Sequence, residues 1–139
     1  FISGCLQRQF KPTKTGSNTK MAEILVLDDV LDAVILIKKI LTRQGHTVTT
    51  FTEEEEAINH AANNPIELAI LDIKLKKMSG IQVLEEMKKK SPELKIIMLT
   101  GYPTIETARE AIELGAGEYC VKPIDKTELE EKVAGILAR

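Results

Sequence analysis

Beyond residue 20 the chain alternates two kinds of apolar spacing. Short continuous runs rich in Ile, Leu and Val occupy residues 23–28 (EILVLD), 67–72 (ELAILD), 95–100 (KIIMLT) and 118–122 (EYCVK), with a weaker run, HTVTTF, at 46–51. Runs of this length without polar alternation suit strands covered on both faces, as in a parallel sheet. The segments between them have helical spacing. Residues 30–44 set Val34, Ile37, Ile40 and Leu41 on one stripe, with Gly45 as the stop. Thr52 with Glu55 reads as a capping box opening a helix to about Asn63, ended by Asn64-Pro65. Ser79 with Gln82 has the same form, and Ile81, Leu84 and Met87 make the inner face behind it. Pro103 suits the first turn of a helix running through Leu114 and closed by Gly115. Asp125 and Glu128 cap a last helix that buries Leu129, Val133, Ile136 and Leu137. The acids Glu53–Glu56 fall at a helix N-terminus and the bases Lys88–Lys90 at a C-terminus, where the macrodipole favours each, and both read as solvated faces. The sum is five strand–helix repeats, which implies right-handed crossovers and a sheet with helices on both sides.

The 139 residues suffice for one domain, and residues 21–139 carry it. Residues 1–20 show neither period, begin at Phe1 and end in a Thr/Gly/Ser/Asn cluster, so a flexible or artificially appended leader is expected there. At 43% hydrophobic and 29% charged, the composition excludes a disordered chain. No apolar run approaches the ~20 residues that span a bilayer, which excludes a membrane protein. All 21 acids lie beyond residue 20, against 15 of the 19 bases, leaving the body at −6. An acidic body with 4% aromatics and no Trp argues against direct nucleic-acid binding. Cys5 and Cys120 make no disulfide framework, so a reducing, cytoplasmic compartment is expected, and Cys120 reads as a small buried hydrophobe. His46 and His60 read as strand-start or surface residues, remote from any chemistry.

In an open α/β sheet, ligands bind outside the carboxyl ends of the strands. The first strand run ends in Asp28-Asp29, the third in Asp72, the fourth in Thr100 and the fifth in Lys122-Pro123, whereas the second ends in Phe51-Thr52 and offers nothing chemical. Taken singly, each of these residues is a turn former or a cap; the set on one edge is what carries chemistry. Three clustered carboxylates repel, and they do not all stay ionised cheaply without a cation. An all-oxygen cluster suits a hard divalent ion, and Mg²⁺ accepts one or two carboxylates while keeping several waters. With an ammonium and a hydroxyl beside it, such a site suits a phosphoryl group.

The pieces LVLDD, ILD, MLTG and VKP, in this order and strand context, resemble the signature of the receiver domain of two-component response regulators. The resemblance covers residues 21–139 and implies a flavodoxin-like (βα)₅ three-layer sandwich of α/β class with parallel strand order 2-1-3-4-5. It implies that Asp72 is the phosphoacceptor, taking a phosphoryl group from the phosphohistidine of a sensor histidine kinase or phosphotransfer protein to give an acyl phosphate. Asp29 matches the direct Mg²⁺ ligand, together with Asp72 and the backbone carbonyl of Lys74, and Asp28 matches the acid that acts mainly through metal-bound water. Thr100 matches the hydroxyl that turns toward the phosphoryl oxygen, Lys122 the lysine that pairs with it, and Tyr119 the aromatic switch. The Lys122-Pro123 bond matches one that is cis in the family. Transfer goes to the domain's own aspartate, so the resemblance implies no turnover enzyme. The surface of the fourth helix, fifth strand and fifth helix would change and meet an output domain, a partner protein or a second copy of the chain.

Several residues depart from that pattern. Leu75-Lys76 stand where the family commonly has Met-Pro, though Gly80 is retained. Lys74, Lys76 and Lys77 add positive charge near the pocket, and Val30 follows the acidic pair where many relatives carry an acid. Lys74 and Tyr102 resemble positions that tune phosphoryl lifetime. Two rival readings use the same fold. A small Mg²⁺-dependent phosphatase or phosphotransferase would use Asp72 as nucleophile, but 119 residues leave no room for a substrate cap. A flavin-binding electron carrier would need a Ser/Thr/Gly-rich phosphate cradle that the DDVLD loop lacks. The expected protein is a stand-alone regulator or the receiver of a longer one.

Overall fold

The computed structural model describes residues 21–139; the leader expected over residues 1–20, with Cys5, lies outside the described residues. Ten elements alternate without exception: β1 (Glu23–Leu27), α1 (Leu31–Arg43), β2 (Thr47–Phe51), α2 (Glu54–Asn63), β3 (Leu68–Leu71), α3 (Gly80–Lys90), β4 (Lys95–Thr100), α4 (Ile105–Glu113), β5 (Glu118–Val121) and α5 (Lys126–Leu137). The five strands are parallel in the order β2-β1-β3-β4-β5. This is the flavodoxin-like sandwich anticipated above.

Strand alternation divides the apolar runs between two cores. Leu25, Leu27, Ala69, Leu71, Ile96 and Met98 face α2, α3 and α4, whereas Ile24, Val26, Leu68, Ile70, Ile97 and Leu99 face α1 and α5. Both faces are therefore apolar, which is why the runs read as continuous in the sequence. Helix α1 contributes Val34, Ile37 and Leu41, α3 Ile81, Val83, Leu84 and Met87, and α5 Leu129, Val133, Ile136 and Leu137. Helix α4 differs, because Ala111 is its one buried residue while Ile105 and Ile112 face outward. Cys120 is buried, and burial pushes its thiol up.

The helix starts agree with the expected caps at α3, where Ser79 and Gln82 form a reciprocal box, and at α5, where Asp125 accepts from the Glu128 amide. Two others differ. Helix α2 begins one residue late for a Thr52/Glu55 box; extended Glu53 stands at its cap and no side chain caps it. Pro103 lies before α4 rather than in its first turn, because Thr104 and Thr107 cap each other reciprocally and set the start there. Gly45 and Gly115 close α1 and α4 at φ 98° and 105°.

His46 precedes β2 as a buried residue, not a surface one. Its Nδ1 accepts from the Ala22 amide at 3.1 Å, while Nε2 has no hydrogen-bond partner among the described residues. Burial holds the imidazole below its ordinary value of 6.5, against the charge of Glu67. The unfolded chain therefore takes up the proton first, and stability falls as pH drops below 6.5. The melting temperature is expected to decline from about pH 6.5 to about pH 5, and to decline less in His46→Asn, which retains an acceptor near Nδ1 but cannot protonate.

Candidate functional site

The sheet ladder continues one residue past three strand ends and sets the site side by side. The Asp28 amide donates to the Phe51 carbonyl at 3.2 Å, the Asp72 amide to Leu27 at 3.0 Å and the Lys122 amide to Thr100 at 2.8 Å. Asp28, Asp72 and Lys122 thus sit just beyond β1, β3 and β5, with Thr100 the last residue of β4. One carboxylate oxygen each from Asp28, Asp29 and Asp72 lies within 4.8 Å of the others. Asp28 and Asp72 are buried and Asp29 is partly exposed, so the cluster opens to solvent at one side.

Lys122 bridges the two buried acids, pairing closely with Asp28 Oδ2 and lying 3.5 Å from Asp72 Oδ2. Asp28 Oδ1 also accepts from the Val30 amide at 2.9 Å, and Asp72 Oδ1 from the Ile73 amide at 2.7 Å. Asp72 is held above the ordinary aspartate range. Burial is the largest cause and the Asp28 charge the next, against the opposing pull of Lys122 and the Ile73 and Lys74 amides. Burial alone would lower Lys122, but its contacts with Asp28 and Asp72 outweigh that and raise it. One ammonium is thus shared between two of the three clustered acids. A donor set of carboxylate oxygens short of positive charge fits a hard divalent cation such as Mg²⁺.

Thr100 is fully buried, and its Oγ1 accepts from the Tyr102 amide at 3.0 Å. Tyr119 on β5 is partly buried, and its hydroxyl meets Thr107 Oγ1 at 2.8 Å, inside the cap of α4. The Lys122–Pro123 peptide bond is cis. The Lys74 ammonium sits 4.2 Å from the centre of the exposed Tyr102 ring, so this lysine leans across to the β4–α4 loop. The close approach that shapes the loop after Asp72 is made by Gly80. Its amide donates to the Ile73 carbonyl at 2.7 Å, and a Cβ there would stand 1.9 Å from the Asp72 carbonyl oxygen.

Two contributors escape the sequence reading. The first is Thr107, which links Tyr119 to the α4 cap. The second is Glu54, from the acidic run read above as a solvated face. Glu54 is only 2% exposed, and its Oε2 accepts from the Lys77 and Met78 amides at 2.6 and 3.1 Å. Burial would raise its carboxyl; the Lys77, Glu54 and Met78 amides and the Lys77 charge outweigh that and hold it below the ordinary range. Spacing is the signal that was available, since Glu54, Ala57, Ile58 and Ala61 share the buried stripe of α2.

A parallel doubly wound sheet with acids, a hydroxyl and a lysine at its carboxyl edge defines the class of phosphoryl-handling signalling domains. The comparisons specify it further: residues 24–134 match the response regulator receiver domain, and the chain belongs to that family. Among curated proteins it is 34% identical over 122 residues to the probable transcriptional regulator ycf27 of Cyanidium caldarium, covering 88% of this chain and 49% of that protein. It is also 34% identical to the alkaline phosphatase synthesis transcriptional regulatory protein PhoP of Bacillus subtilis, covering 84% of this chain and 49% of that one. Against the transcriptional regulatory protein ZraR of Escherichia coli the identity is 29%, over 84% of this chain and 26% of that one. The chain thus spans between about a quarter and a half of these relatives. Among solved structures, a CheY-like receiver domain protein from Methanospirillum hungatei superposes with a TM-score of 0.83 at 33% identity, over 86% of this chain and 95% of that one. These matches do not favour the phosphatase alternative. No helix among the described residues is long and apolar enough to cross a membrane.

Proposed function

We propose that Asp72 is the phosphoacceptor of this receiver domain, with a sensor histidine kinase or a histidine phosphotransfer protein as donor. A carboxylate oxygen of Asp72 attacks phosphorus, the bond to the donor imidazole breaks, and an acyl phosphate remains on the chain. The observation that carries this reading is the convergence of Asp28, Asp29 and Lys122 on Asp72 at the open edge of the sheet. Mg²⁺ would be held by Asp29, Asp72 and the backbone carbonyl of Lys74, with Asp28 acting through water. When bound it would offset the clustered negative charge of the acids and the incoming phosphoryl oxygens. Lys122 neutralises charge at Asp72 before transfer and pairs with the phosphoryl group afterwards. This is transfer to the domain's own residue, in the cytoplasm, without turnover. Incubation with acetyl phosphate and Mg²⁺ tests it: labelling should stop near one equivalent with phosphate release no faster than the labelled chain decays alone, whereas release outrunning that decay would mark a phosphatase.

The same side chains form the switch. Thr100 gives up the Tyr102 amide to reach the phosphoryl oxygen, and Tyr119 gives up Thr107 to move into the space released. The second exchange loosens the first turn of α4, whose cap shares Thr107. The surface of α4, β5 and α5 that changes already exposes Ile105, Ile112 and Val121 at 74%, 53% and 49%, an apolar face fit for an output domain, a partner protein or a second copy. Lys122→Ala is expected to retain Mg²⁺ binding, because no proposed ligand is removed, but to lose the change that follows phosphorylation. Calorimetric titration with Mg²⁺ and the ring resonances of Tyr119 with and without acetyl phosphate check the two halves. A Tyr119 response equal to wild type would make the lysine merely structural.

A further inference from the structure

The loop between β3 and α3 is tied down at both ends by different parts of the chain. Near Asp72 the Asp72 carboxylate accepts from the Ile73 amide, and the Gly80 amide donates to the Ile73 carbonyl. Near α3 the tie comes from another element altogether, Glu54 at the first turn of α2, 23 residues earlier in the chain from Lys77. Both amides it receives are bound by one oxygen of a side chain that is itself almost wholly enclosed. Lys74, whose amide also faces the Asp72 carboxylate, opens a short bridge through Leu75 and Lys76 to the second fixed point. The Lys77 ammonium does not replace this tie, since its ion pair with Glu53, at 3.9 Å, is solvent-exposed on both sides. Gly80 shapes the far end of the loop where α3 begins, but residues 74–78 contain neither Pro nor Gly and have little intrinsic preference for one path. An external clamp supplies what the local sequence omits.

We propose that Glu54 is a positioning residue for the phosphorylation pocket: by clamping the Lys77 and Met78 amides it fixes the loop that presents the Lys74 carbonyl beside Asp72. The inference rests on the reading of Lys74 as a backbone metal ligand, and it assigns to Glu54 no contact with metal or phosphorus. Groups that orient a metal ligand typically change affinity about 10- to 100-fold when removed. What the clamp requires first is an acceptor oxygen at the right reach; the charge strengthens the two bonds but does not set their geometry. Gln supplies that oxygen, Asp is one methylene too short, and Ala has none.

The full chain and its Glu54→Gln, Glu54→Asp and Glu54→Ala variants would be titrated with Mg²⁺ by calorimetry, and their amide resonances recorded without metal. The expected order is near-wild-type affinity for Gln, then losses approaching tenfold for Asp and Ala. In the metal-free spectra the Lys77 and Met78 amides should move upfield in Asp and Ala and stay close to wild type in Gln. If Ala fails to fold, the Gln–Asp pair decides. Asp binding as tightly as Gln or tighter would overturn the clamp, as would metal-free Lys77 and Met78 resonances unchanged by Asp or Ala. A wild-type chain that takes up no Mg²⁺ would instead overturn the metal reading, while the metal-free spectra would still test the clamp.

Discussion

Asp72→Asn is expected to take up no phosphoryl group from acetyl phosphate while keeping a native circular dichroism spectrum. The amide is nearly isosteric, so the hydrogen bond from the Ile73 amide has an oxygen to reach and the ladder through the Asp72 amide is untouched. What disappears is the proposed nucleophile. The variant also loses one of the charges that burial and Asp28 disfavour, so its melting temperature should be no lower than wild type and is expected to rise at neutral pH. The sign follows from the raised carboxyl: ionisation of Asp72 costs the folded chain more than the unfolded one, so the penalty grows as pH rises through its titration and is absent below it. Undiminished labelling in Asp72→Asn, measured by intact mass, would assign the phosphoryl group to another residue. A collapse of the fold would make Asp72 structural.

Gly80→Ala should be the most damaging glycine-to-alanine change among the described residues. Its Cβ would meet the Asp72 carbonyl oxygen at 1.9 Å, the Asp72 carbonyl carbon at 2.7 Å and the Ile73 Cα at 2.8 Å. All three are backbone atoms beside the end of a central strand, so none can swing aside as a side-chain tip would. Either α3 retreats from β3, losing the Gly80–Ile73 hydrogen bond, or the Asp72 peptide is displaced. A cost of at least about 3 kcal/mol is expected, the upper end of ordinary overpacking. For a domain of this size that lowers the melting temperature by roughly 10 °C or more. Gly135→Ala is the matched control, because its Cβ meets nothing within 4 Å inside α5. There the methyl group should stabilise by about 0.5–1 kcal/mol. Thermal melts of the pair check both, and a Gly80→Ala protein as stable as wild type would mean that the approach of α3 to Asp72 is looser than described.

The fold was legible because each strand is enclosed on both faces and each helix on one, so two distinct periodicities punctuate the chain. The strand ends were legible for a related reason. Where an apolar run stops at an acid or a lysine, the stopping residue is delivered to the crevice, and the sheet order determines which neighbours it meets. Contacts that depend on which way one side chain turns out of a run of equals were not legible. Four consecutive glutamates look alike until the phase of α2 singles out Glu54, and its partners are backbone amides, which no residue type advertises. The same applies to Thr107, whose place beside Tyr119 depends on the packing of α4 against β5. The start of α2 belongs with these: Thr52 and Glu55 have the spacing of a capping box, but Glu53 stands at the cap and Glu54 in the first turn reaches inward to the loop.

Helix α4 fully buries one side chain, the methyl group of Ala111, beside the Thr107–Tyr119 hydrogen bond and a half-buried Leu114 at its end, whereas α5 fully buries Leu129, Val133, Ile136 and Leu137. Lifting α4 would return roughly 1 kcal/mol of apolar burial to water, while lifting α5 would return several times as much. Any event at the pocket that strains the molecule therefore finds its least resisted outlet through α4. In the proposed switch the loosest rivet in the frame is thus where the message leaves, and tightening it, for instance by enlarging the seat around Ala111, is expected to deafen the domain without touching its chemistry.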